Sequence, residues 1–140
     1  MKEYGGFRLR FDDPDTTAKA GAVVRDILTS YKIKKCDWID KLEIYEWDYS
    51  IFTSEDTPIA YETFLELFPL MCCEISKINP SEAFMGAAEY EVNNERITVK
   101  VVHDEGIVKL STIRDGVFTQ RATYELQGTD MVLKSVKKGF

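Results

Sequence analysis

Histidine and cysteine are scarce in this sequence: one His and three Cys among 140 residues. With His103 alone, neither a paired-histidine zinc site nor a histidine relay can be built. Cys36, Cys72 and Cys73 are odd in number, and two of them are adjacent in a helical pattern. A disulfide framework is therefore excluded, and reduced thiols are expected. Proline occurs four times and glycine eight, and neither gathers into a linker, an internal repeat or a low-complexity tract. No stretch approaches a membrane span, and Met1 to Arg10 lacks the apolar core of a signal peptide. No phosphate-cradling glycine loop, nucleophile elbow or paired-cysteine motif occurs. Asp13-Pro14-Asp15 opens like a calcium loop, but Ala18 and Val24 stand where the sixth-position glycine and twelfth-position acid belong. The expectations are no metal, no cofactor, no catalytic constellation and no membrane association, in a cytoplasmic protein.

What is present is a foldable composition. A hydrophobic share of 44% and an aromatic share of 12% argue against disorder, and 140 residues can bury a core without staples. One domain spanning 1–140 is expected.

The clearest pattern runs from Phe84 to Val136. Phe84, Gly86, Ala88, Tyr90 and Val92 alternate with Met85, Ala87, Glu89 and Glu91, and Ile97, Val99 and Val101 alternate with charged or polar neighbours. This is the period of half-buried strands. Asn93-Asn94 suits a two-residue type I′ turn, which sets Val92 opposite Glu95, Tyr90 opposite Ile97 and Glu91 opposite Arg96. Asp104-Glu105-Gly106 reads as a three-residue loop with Gly106 left-handed, pairing Val101 with Lys109 and His103 with Ile107. Asp115-Gly116 reads as another type I′ turn, setting Ile113 opposite Phe118 and Ile107 opposite Tyr124. This register gathers Phe84, Tyr90, Val99, Ile107, Phe118 and Tyr124 on one apolar face. Lys109 joins them with only its stem expected to be buried. Val102, Val108 and Leu110 fall on the polar face, where they suggest self-association. Gly128-Thr129-Asp130 turns into a last strand, Met131 to Val136.

Before the meander, Phe7, Leu9 and Phe11 alternate with Arg8 and Arg10, a first strand. Asp13 caps a helix opened by Pro14, with Ala20, Val23, Val24, Ile27, Leu28 and Tyr31 on one face. From Cys36 to Thr53 the alternation changes parity at Tyr45, which predicts a bulged strand or two short ones. Pro58 opens a second helix that Pro69 should kink or divide. The fold class is thus α+β: β-α-β-α followed by a four- to five-stranded antiparallel meander, with two helices packed on one sheet face.

The net charge of −6 is unevenly placed. Residues 36–66 hold one basic and nine acidic side chains, whereas residues 1–35 hold eight basic and five acidic. Within the acidic segment Asp37, Trp38, Asp40, Glu43, Tyr45, Glu46, Trp47, Asp48 and Tyr49 interleave carboxylates with large rings. Rings supply anchors and carboxylates supply steering and pairing, which together make a surface for a basic protein. The competing reading is a strand with its rings in the core and its acids in water. The excess of acid disfavours a nucleic-acid backbone there.

In size, acidity and lack of catalytic motifs the chain resembles the small acidic immunity proteins that neutralise toxin domains. That resemblance implies a non-enzymatic module, with Asp37, Asp40, Glu43, Glu46 and Asp48 supplying charge and Trp38, Trp47 and Tyr49 as anchors. The alternative is a small-ligand or catalytic pocket between sheet and helices, lined by Tyr90, His103, Lys109 and Tyr124. His103 precedes Asp104 and Glu105, yet no nucleophile accompanies it, so a structural role at a strand end is expected. A structural subunit of a homo-oligomer, a homodimer in the simplest case, is the third reading.

Overall fold

The computed structural model describes residues 3–32, 43–54 and 57–139. Among them two helices lie on an antiparallel sheet of nine strands, an α+β fold. The first strand, β1 (Tyr4–Phe11), leads through Asp13 into α1 (Pro14–Lys32). Asp13 caps the helix as its position demands: Oδ1 accepts from the Asp15 amide and Oδ2 from the Thr16 amide, both at 3.3 Å. Three short strands follow, β2 (Tyr45–Trp47), β3 (Ser50–Phe52) and β4 (Thr57–Pro58). Then come α2 (Tyr61–Ser76) and the meander β5 (Phe84–Val92), β6 (Glu95–Asp104), β7 (Ile107–Arg114), β8 (Val117–Gln127) and β9 (Asp130–Lys138).

The sheet runs β2-β3-β1-β5-β6-β7-β8-β9, with β4 also paired to β1. Thus β1 is central rather than terminal: Arg8 faces Phe52 on one side and Ala87 on the other. The core fills the helix side. Leu9, Ile51, Ala88, Val99 and Val101 come from the sheet, Val24 and Leu28 from α1, and Phe64, Phe68, Met71 and Ile75 from α2.

Two expectations about α2 are corrected. The helix begins at Tyr61, because Pro58 belongs to the short strand paired with Tyr4. It also continues through Pro69 as one helix rather than dividing into two. An interior proline costs about 3 kcal/mol, but Phe64, Leu67 and Phe68 precede it and Met71, Cys72 and Ile75 follow it, all buried. At roughly 1.5–3 kcal/mol per buried side chain, that packing outweighs the break.

The meander keeps its first hairpin as expected, Tyr90 opposite Ile97 and Glu91 opposite Arg96, with Asn93 and Asn94 both left-handed. The next turn is shorter than the sequence suggests. Glu105 and Gly106 both take positive φ, 50° and 75°, so Asp104 pairs with Ile107 and Val101 with Leu110 rather than Lys109. This one-residue difference reverses β7. Val108 and Leu110 enter the core, Lys109 turns to water, and Ile107 and Ile113 move to the far face. The cost of a left-handed Glu, about 1–2 kcal/mol, is smaller than that of dehydrating an ammonium.

A bulge then restores parity. Thr112 pairs with Gln120 but Ile113 with Phe118, leaving Thr119 unpaired, its hydroxyl donating to the Thr112 carbonyl at 3.2 Å. Ala122 and Tyr124 consequently face the helices as expected, whereas Phe118 lies on the opposite side from Tyr90 and Val99. A second irregularity at Tyr124 leaves Lys134 without a partner on β8.

Candidate binding surface

Ile51 organises the acidic-aromatic segment. It is fully buried opposite Leu9, and the Phe7 amide and Thr53 hydroxyl bond at 2.9 Å beside it, so β3 is tied to β1. The Asp48-Tyr49 turn, with Asp48 at φ 54°, folds β2 back onto β3, and β2 becomes the margin of the sheet. Because Ile51 points into the core, its neighbours Ser50 and Phe52 point out. Their partners Trp47 and Tyr45 point out with them, on the face away from the helices. Trp47 is 71% exposed. Tyr45 and Tyr49 are exposed as well, and Tyr45 stacks on Phe52 with ring centroids 5.5 Å apart. The reading in which these rings fill the core is therefore overturned: α1 packs on the other face of the hairpin, and the rings are on the side away from it.

The carboxylates divide. Glu46 points to the helix side, where its Oε1 lies 2.6 Å from Nη1 of Arg25. It also fills the space over Gly21, where a Cβ would meet that oxygen at 2.0 Å. Glu46 is thus a fastening of the hairpin to α1. Glu43 accepts a hydrogen bond from the Tyr45 hydroxyl, and the carboxylate raises the phenol's pKa through that bond and its charge. Glu43 and Asp48 are exposed. Asp37, Trp38 and Asp40 lie outside the described residues.

The four residues of the alternative pocket are not brought together. Tyr90 is buried beneath Tyr61 and Phe64, edge-on to both rings. Burial holds its phenol far above the ordinary value. His103 is buried at the other end of the sheet, opposite Phe84, whereas Tyr90 lies opposite Ile97. Six strand residues separate the two levels, about 20 Å. Lys109 is exposed on the far face. Tyr124 lines a cleft of about 410 Å³ between α2 and the β8–β9 hairpin, with Cys73, Glu74, Lys77 and Met131. Both helical thiols are buried, and burial drives their pKa upward, that of Cys73 to about 11. They are poor nucleophiles and poor metal ligands at neutral pH.

Near His103 a polar cluster joins three segments. The Thr16 hydroxyl donates to Oε2 of Glu82 at 2.5 Å, Asn79 Nδ2 reaches the same oxygen at 3.2 Å, and His103 Nδ1 donates to the Glu82 carbonyl at 2.8 Å. These bonds tie the start of α1 and the α2–β5 connection to the end of β6. Among the described residues no group of acids, cysteines and histidine has the arrangement of a metal site, and no helix is long and apolar enough to cross a membrane.

No protein-family model, curated protein or solved structure matches the chain.

Sequence reasoning treats the polar face of β5 and β6 as a surface for self-association and does not bring β1 to it. There Arg8, Arg10 and Lys100 surround a trough of about 480 Å³. The alternation of Arg8 and Arg10 with Phe7, Leu9 and Phe11 was legible. That β1 lies beside β5, bringing those arginines opposite Lys100, was not.

Proposed function

We propose that this protein is a non-enzymatic binding module that receives a basic protein partner on the β2–β3 hairpin, in the manner of an immunity or inhibitor-type protein. The observation that carries the reading is Trp47, 71% exposed on a marginal strand. An indole is among the largest apolar groups a chain can bury, and here no element among the described residues covers it. Tyr45 and Tyr49 add rigid contact area beside it, and Glu43 and Asp48 supply negative charge free of cationic partners among the described residues. Tryptophan and tyrosine ringed by polar groups are the composition of an interface hot spot. Carboxylates around them steer a cationic partner and fix its orientation. Among the described residues no strand pairs with the outer edge of β2, which leaves main-chain groups for a partner strand to join.

Capture from native lysate on the immobilised protein, repeated at high salt, tests the reading. A basic protein should be retained and then released by salt. Its affinity should fall at least tenfold with Trp47→Ala, and its association should slow with Glu43→Lys and Asp48→Lys. Retention that ignores all three substitutions would rule out the hairpin as the site. The third reading, a homo-oligomer subunit, draws support from the opposite margin of the sheet, β9, where Leu133 and Val136 are exposed.

A further inference from the structure

The sheet face turned away from the helices carries charge opposite in sign to that of the whole chain. Pairing places Arg8, Lys100, Arg121 and Lys137 in one row across the strands, and Arg10 and Lys109 in the adjacent row. Two rows of one face thus hold six cations and no carboxylate, in a protein of net charge −6. None of the six forms an ion pair with a described residue. Arg8 lies over the Phe52 ring at 4.8 Å, and Arg121 donates to Ser111 Oγ at 3.0 Å.

The rows are most open above β5. Ala87 sits between Arg8 on β1 and Lys100 on β6, its small side chain forming the floor of the trough. Two strand spacings put those flanking residues roughly 9–10 Å apart. One anionic head group bridges the two cations once the Arg8 guanidinium turns from the Phe52 ring toward β5, and it then relieves their mutual repulsion. In the adjacent row Met85 and Val102 pair directly across β5 and β6, 57% and 50% exposed, with Arg10 beside Met85. Glu89 lies at the opposite end of the trough, two residues beyond Ala87. An anion is attracted at Ala87 and repelled at Glu89, while within the trough the exposed apolar side chains are those of Met85 and Val102. The trough therefore has a direction.

We propose that it binds an amphiphilic anion, a carboxylate or phosphate head seated over Ala87 between Arg8 and Lys100, with an apolar body along Met85 and Val102. The site adjoins the hairpin through the contact of Arg8 with Phe52, but neither Trp47 nor Tyr45 lines it, and its occupancy does not require the protein partner.

Decanoate and decyl phosphate, each kept below its micelle concentration, would be titrated into the full chain with the methionine methyl groups observed by NMR. The Met85 methyl should shift saturably with one or both anions, and the relative affinities assign the head group as carboxylate or phosphate. Decanol and decyltrimethylammonium at the same concentrations should leave it in place. Lys100→Glu should weaken anion binding at least tenfold while the methyl of Met71, in the core, keeps its position and reports an intact fold. Trp47→Ala should leave the affinity unchanged. The proposal is overturned by the absence of a saturable Met85 shift, by decanol binding as tightly as the anions, or by indifference to Lys100→Glu.

Discussion

His103 shows how one buried polar group sets a pH dependence. Its Nδ1 faces the Glu82 carbonyl, which only accepts, so the proton resides on Nδ1 and Nε2 is a bare acceptor, buried and without a partner among the described residues. The ring stacks on Phe84 with centroids 4.6 Å apart. Protonating Nε2 would bury a cation there, and this burial lowers the pKa below 6.5, prevailing over the Glu82 hydrogen bond and the Asp104 and Glu105 charges, which raise it. Below pH 6.5 the unfolded chain takes up a proton that the folded chain refuses, so stability falls as pH drops from 6.5 toward the lowered folded value. Above 6.5 both states are neutral at this site and it adds no slope. His103→Gln should cost about 1 kcal/mol through the altered bond to Glu82 and should remove this slope. Urea midpoints between pH 6.5 and 5 check it: the native chain should lose midpoint across the window and the variant should lose less. Equal losses would assign the slope to other groups.

At the scale of elements, the Glu105-Gly106 turn decides which side chains of β7 are inside. Asn93-Asn94 and Asp115-Gly116 were readable as type I′ turns because Asn and Asp tolerate left-handed backbone, and both have it here. Glu105 tolerates it poorly, which is why local reasoning makes the loop one residue longer. Long-range bonds hold the shorter loop: the Gly106 amide donates to the Pro80 carbonyl, and the Leu126 amide to the Gly106 carbonyl, each at 2.9 Å. Neither partner can be found from the sequence around the turn. The bulge at Thr119 was equally invisible, yet it cancels the error for β8, so Ala122 and Tyr124 are placed correctly while Ile107, Ile113 and Phe118 are not. Because Glu105 bears left-handed strain, Glu105→Asn should raise stability by roughly 1 kcal/mol. Chemical denaturation with an unchanged slope would register this as a higher midpoint. An unchanged or lower midpoint would mean that tertiary bonds, not residue type, dominate the turn.

Across the whole molecule, the sheet is wider than the helices that cover it. Segment charge was legible as a sum over residues 36–66, but which rings meet water depends on β2 being marginal, and that follows from β1 pairing with both β3 and β5, contacts far apart in sequence. The same geometry governs the other margin. The helix α1 packs on β1, β2 and β3 and α2 on β5 and β7, so β8 and β9 project beyond them except where Tyr124 and Met131 pack against the core. On the helix side of β9, Leu133 and Val136 are 50% and 47% exposed. Among the described residues no strand pairs with the outer edge of β9, which makes it a template for a second copy. Lys134, Lys137 and Lys138 oppose such pairing by repulsion, and Lys134 also sits at the irregularity that bends the strand. Apolar surface therefore favours association and charge resists it, and only the charge is screened by salt. Sedimentation at increasing protein concentration should show a dimer that strengthens between low and high ionic strength. Leu133→Lys with Val136→Lys should abolish it with less than about 0.5 kcal/mol of change in monomer stability, since both side chains are already half exposed. A monomer at every concentration and salt would remove the homo-oligomer reading, and a dimer indifferent to both substitutions would move the contact away from β9.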